Sequence, residues 1–284
     1  MAERKKRQVG DTVQLIAIFV FCGVAVLFDF VKIQYSSDEF INRMIAKIVQ
    51  QCCGSIAAIV LMVRLKIKLF GVPQGWLYFI PCLIIALDNF PLISYLNGNM
   101  QIVRNSALEV TLFAGYCLSV GLFEELIFRG VIFSVVAGYF NKNKNGFITT
   151  YIVSSVIFGG IHIFNIIAGA GVGATVLQVG YSTLTGALFA FALIKMKNIF
   201  IPAFLHGLYN FCGLFCTKEG LGMGSFFDTG TIIMMAVISV LIGLFVLYSV
   251  LTYKEEDRVD LYKKLGIRPI EKEKVAHNTD ETNA

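Results

Sequence analysis

The chain has 284 residues, of which 56% are hydrophobic and 15% charged, with a mean hydropathy of +0.72. Such a composition excludes an ordinary water-soluble domain, which carries far more charge and cannot hide this much apolar surface. The formal net charge of +5 comes from basic residues at the two ends and in short links between apolar runs, a distribution that argues against a nucleic-acid partner.

The apolar residues fall in blocks of roughly 18 to 25, the length a helix needs to cross a hydrocarbon core of about 30 Å. In chain order the blocks predict helices over 12–33, 44–63, 76–96, 107–137, 147–167, 174–194, 199–216 and 231–251. The expected fold is all-α, a polytopic membrane helix bundle of about eight transmembrane helices with lipid as its solvent. The basic start Arg4-Lys5-Lys6-Arg7 precedes an apolar run too long for a signal-peptide core, so the first helix reads as a retained span. Pro81, Asp88 and Pro91 interrupt the third helix and suggest a kink there.

Placing the N-terminus in the cytosol puts 18 Lys and Arg on the inner side and 5 on the outer. By the positive-inside rule that split predicts an even number of spans with both termini cytoplasmic, in a plasma membrane. The sequence divides into N-terminal spans over 1–106, a central group over 107–216, a last span within 217–253 and a charged tail over 254–284. The tail reads as a short interfacial helix followed by disorder. The glycines at 169, 171 and 173 read as a tight outer turn, since no strand precedes them as a nucleotide loop requires. All seven cysteines lie in apolar runs, where they behave as small hydrophobes, and the Cys212 and Cys216 pair is a poor zinc signature.

Ionisable groups at bilayer depth cost about 2.5 to 3.5 kcal/mol each even on a lenient scale, so each demands a partner or a task. The fourth helix carries three. Glu125 and Arg129 stand one turn apart in the order that favours an ion pair, while Glu124 projects about 100° away and has no partner on its own helix. Two of the chain's three histidines sit in later helices: His162 follows the paired Gly159 and Gly160, and His206 shares a face with Asn210. At 1.5 Å per residue, Glu124, His162 and Asn210 fall about 16 to 22 Å from the cytoplasmic side and His206 about 10 Å. A shared site therefore requires the seventh helix to tilt or begin deeper. An unpaired glutamate, two imidazoles and an amide on three helices supply a base, a second proton-handling group and oxyanion donors, a set suited to hydrolysis.

These residues form three ordered motifs: E-E-x-x-x-R at Glu124, Glu125 and Arg129; F-x-x-x-H at Phe158 and His162; and H-x-x-x-N at His206 and Asn210. In this the chain resembles the CPBP family, the CAAX prenyl endopeptidase and bacteriocin-processing (Abi) intramembrane proteases. The resemblance covers roughly 107–216. It implies a glutamic endopeptidase without a metal cofactor, in which Glu124 activates a water held with His162, His206 and Asn210 stabilise the oxyanion, and Glu125, Arg129 and Phe158 support the site. The implied substrate is a membrane-associated peptide or protein. Zinc held by Glu124, His162 and His206 is the alternative chemistry; bacteriocin self-immunity, pheromone maturation and ion transport are the alternative roles.

Overall fold

A computed structural model describes residues 34, 36–143, 145–167, 169–223 and 228–267. The predicted helix over 12–33 and most of the tail lie outside these residues.

Among the described residues the chain is helical, with only an isolated bridge between Ile102 and Gly222. Helix α1 (Glu39–Arg64) begins at Asp38, whose side chain accepts from the Phe40 amide, with acid in the first turn and Arg64 in the last. The predicted 76–96 helix is three pieces: a 3-10 turn (Trp76–Tyr78), α2 (Phe79–Asp88) and α3 (Leu92–Leu96). The break falls at Asn89-Phe90-Pro91, where proline supplies no amide donor and disfavours helix in the residue before it.

The fourth predicted helix runs unbroken through three geometries: α4 (Ala107–Glu125), a π-helical stretch (Leu126–Ile132) and α5 (Phe133–Phe140). A Ser106/Glu109 capping box starts α4. Helix α6 (Gly146–Gly160) tightens into a 3-10 end (Ile161–Ile166) that carries His162. There follow α7 (Val172–Met196), α8 (Phe200–Leu214), α9 (Thr229–Leu251) and α10 (Glu255–Lys264). The glycine turn is present in part, with Gly169 at φ 94° and Gly171 at the N-cap of α7, whereas Gly173 lies inside that helix.

Four helical stretches are long and apolar enough to cross a membrane: α1, Gly146–Ile166, α7 and α9. This is fewer than the eight spans expected, for identifiable reasons. The stretch 12–33 is outside the described residues, and the apolar helices over 76–88 and 200–214 are short. The outer faces match a lipid solvent, since Ile233, Val237, Leu241, Leu244 and Tyr248 along α9 are all exposed, as are Ile56, Val60 and Val63 of α1.

The segments predicted to share a membrane face meet in space. At one end the Lys68 amide bonds to the Lys264 carbonyl, and Lys197 Nζ lies 2.7 Å from Asp260. Lys197 ends α7 in the left-handed conformation (φ 50°), and its side chain beside Asp260 holds that carboxyl below the usual range. At the other end Arg43 donates to the Lys218 carbonyl, and Arg104 bonds Asp38 and Glu109 while lying 4.4 Å from the centre of the Phe40 ring.

Two glycine contacts set the packing of the helices that carry the motifs. A Cβ on Gly121 of α4 would lie 2.5 Å from the Ala203 carbonyl and the Gly207 amide of α8. One on Gly159 of α6 would lie 2.0 Å from Thr183 Oγ1 of α7, whereas one on Gly160 would meet nothing within 4 Å. Gly159→Ala is therefore expected to destabilise the bundle by about 1 to 3 kcal/mol, and Gly160→Ala to leave it unchanged or slightly firmer. Thermal unfolding of the detergent-solubilised variants checks this, and equal melting temperatures would refute it.

Candidate active site

Helix α8 delivers His206 and Asn210 from within the bundle. Lys197, Asn198 and Ile199, which lead into it, are all buried. Asn198 Oδ1 accepts from the amides of Phe200 and Ile201, while its amide group bonds the Gly71 carbonyl. From this start His206 comes within 3.8 Å of Glu124 and 2.9 Å of Glu125, so its shallower count along the chain does not keep it from the fourth helix. The Gly121–Gly207 crossing then lays α8 against the end of α4, so that His206, next to one glycine, faces the two glutamates just beyond the other.

Glu125 is fully buried and stands between two cationic or proton-bearing groups. Its Oε1 lies 2.9 Å from His206 Nδ1 and 3.0 Å from Arg129 Nη1. Arg129, 3% exposed, donates from Nη2 to the Gly186 carbonyl at 2.9 Å and lies 4.1 Å from the centre of the Phe158 ring. The absent side chain at Gly186 admits that guanidinium, for a Cβ there would lie 3.4 Å from Nη2 and 2.9 Å from Phe158. The expected Glu125–Arg129 pair is present, and it extends across helices to His206.

Glu124 is partly exposed, with 28% of its side chain accessible, and its Oε2 stands 3.8 Å from His206 Nε2. That separation exceeds a direct hydrogen bond, and two bonds of ordinary length, about 2.8 Å each, allow one water to touch both atoms. His206 therefore has one carboxylate at each ring nitrogen. Phe189 stacks on its face at 4.8 Å between ring centres.

His162 joins the group through Phe158 rather than through a carboxylate. Its Nδ1 lies 3.1 Å from the Phe158 carbonyl oxygen, which can only accept, so a neutral His162 carries its proton on Nδ1. The Phe158 ring stands edge to face with both imidazoles, 5.7 Å from each. Asn210, partly buried, follows His206 by one turn. Nearby, Asn89 donates to the Tyr209 carbonyl at 2.8 Å and bears on Gly213, anchoring this turn of α8 to the break after α2.

Residues 106–212 match the model of the type II CAAX prenyl endopeptidases, Rce1-like. This segment is similar to the Rce1-like endopeptidases. The match runs from the cap of α4 to the last turn of α8 and contains all three motifs. No curated protein and no solved structure matched the chain. Within the Rce1-like segment, Gly121, Gly186, Gly207 and Phe189 are the site-building residues that motif spacing did not reveal. Only the small-residue rule for membrane helices pointed toward the glycines, and it did not say which would meet.

Proposed function

We infer that the chain is an intramembrane endopeptidase in which Glu124 activates the attacking water. The observation that carries this reading is the position of Glu124 Oε2, 3.8 Å from the outward nitrogen of a histidine whose other nitrogen is held by a second, buried carboxylate. Glu124 takes one proton as the water oxygen bonds to the scissile carbonyl carbon. It returns that proton to the departing nitrogen as the carbon–nitrogen bond breaks.

The ring contacts assign the remaining duties. A neutral His162 with Nδ1–H on the Phe158 carbonyl presents Nε2 as an acceptor, suited to holding the second hydrogen of the water. Asn210 can donate to the oxyanion. For His206 to share that duty it must carry a proton on each nitrogen, with Glu125 balancing its charge. Membrane-anchored peptides or proteins are the substrate class that a site inside lipid-facing helices would meet, and the family name adds prenylated C-terminal segments as one form of them. The meeting of segments 64–68, 195–197 and 254–264 at one end supports the orientation with both termini in the cytosol of a plasma membrane.

A second reading draws on the same tautomers. With both Nδ1 atoms held by oxygen partners, which fix the rings as hydrogen-bonded partners do for ligating histidines, both Nε2 atoms could take a zinc ion with Glu124 as third ligand. Against it, among the described residues no three His, Cys, Asp or Glu side chains are grouped to hold an ion. Cleavage by the purified protein is expected to survive exhaustive chelation unchanged. Loss on chelation with recovery on added zinc would favour the metal reading. Comparison of membrane peptides from cells with the wild-type and E124Q chains tests the function itself, and identical peptide profiles would overturn it.

A further inference from the structure

A cavity of about 330 Å³ lies between α2, α6, α7, α8 and α9, and none of Glu124, His162, His206 or Asn210 lines it. Its walls are chiefly aliphatic, but three tyrosines, Tyr151, Tyr181 and Tyr209, also line it, as do Asp88, Asn89, Thr185 and Ser239. Phe189 meets both His206 and Tyr209, so the cavity sits one aromatic layer behind the imidazole. At the rim Leu184 is 71% and Leu247 52% exposed, on the flanks of α7 and α9 that form part of the apolar exterior. The mouth therefore opens sideways, toward lipid.

Asp88 is the acid among the residues that line this cavity. It is 8% exposed, and its Oδ1 has no hydrogen-bond partner. A carboxylate in such surroundings is strongly disfavoured unless a cation or donors reach it, and attraction for a cation grows as the local dielectric falls. An apolar chamber of this size with a few convergent polar groups has the character of a ligand site. Asp88 is the last residue of the 76–88 helical segment, about 18 Å of helical rise from its start.

We propose that this cavity binds a membrane-dissolved lipophilic amine, a single apolar chain whose protonated head pairs with Asp88 and whose tail lies between α7 and α9. The test uses the full chain in phosphatidylcholine vesicles with a dodecylamine carrying a diazirine on its chain, followed by photolysis and peptide mapping. Label is expected on the segments around Leu184 and Leu247, and is expected to fall at least tenfold in D88N. The matching diazirine alcohol and fatty acid are expected to label the same segments at least tenfold less. Phosphatidylethanolamine added in excess is expected not to compete. L184W, a change at an exposed rim position that leaves Asp88 in place, is expected to block labelling as well.

Equal labelling by the alcohol would show that charge plays no part and would overturn the proposal. So would unchanged labelling in both D88N and L184W, the signature of partitioning into bulk lipid only. Competition by phosphatidylethanolamine would assign the site to a lipid headgroup and overturn the single-chain amine. If D88N fails to fold, the amine-against-alcohol comparison and L184W on the native carboxylate still decide the matter.

Discussion

Glu124→Gln is expected to reduce peptide cleavage by about 10²- to 10⁴-fold, the usual contribution of a positioned general base. The amide has the carboxylate's shape but accepts no proton at neutral pH, so the water loses its base without a change in volume. Because Glu124 is partly exposed and its nearest charged contact is a 3.8 Å approach to His206 Nε2, folding does not depend on its charge. The melting temperature is expected to stay within about 2 °C of the wild type, a shift that corresponds to about 1 kcal/mol for a chain of this size. A well-folded E124Q chain with near-native turnover would remove the proposed base.

Arg129→Met is expected to produce the largest loss of stability of any single change at the site, about 3 to 5 kcal/mol. Glu125 and Arg129 are both buried, with Oε1 and Nη1 3.0 Å apart. Removing the guanidinium strands the carboxylate, with only His206 Nδ1 left to it. It also frees the Gly186 carbonyl and empties the place above the Phe158 ring. The double variant E125Q/R129M is expected to recover part of the loss, since no unpaired charge then remains, and the cycle of single and double variants measures the coupling. Unfolding of purified protein in detergent reads both. A loss below about 1 kcal/mol for R129M would mean that the network does not hold these helices together.

The two effects separate because the adjacent glutamates have different surroundings. Glu125 is enclosed and holds both His206 and Arg129 at Oε1, so its removal is a matter of folding; Glu124 is open and lightly held, so its removal is a matter of chemistry. The i,i+4 spacing of Glu125 and Arg129 made their pairing readable in the sequence. The extension of that pair to His206, 81 residues further on, was not, because it depends on the crossing of α4 and α8.

The membrane class and the helical fold were legible in composition and block length, because the bilayer imposes both requirements locally on each segment. The helices α1, α6 with its 3-10 end, α7 and α9 appear within a few residues of the predicted limits, as expected when hydropathy alone defines a span. The interruption at Asn89–Pro91 was foreshadowed by the proline, but the role of Asn89 in bracing α8 was not, since its partner lies 120 residues away. The π-helical stretch over Leu126–Ile132 left no mark in the hydropathy pattern at all.

By itself the sequence determined the solvent, the secondary structure and the short list of polar residues that a hydrocarbon setting requires to be accounted for. The tertiary structure alone decided which of those residues meet: that His206 has a carboxylate at each nitrogen, that Phe158 lies against both imidazoles, and that Asp88 lines a cavity with its Oδ1 unpaired. The reason is that hydropathy is a property of each segment in isolation. Approach of two helices is set by where side chains are missing, at Gly121 against Gly207 and at Gly159 against Thr183, and such complementarity exists only between surfaces brought together.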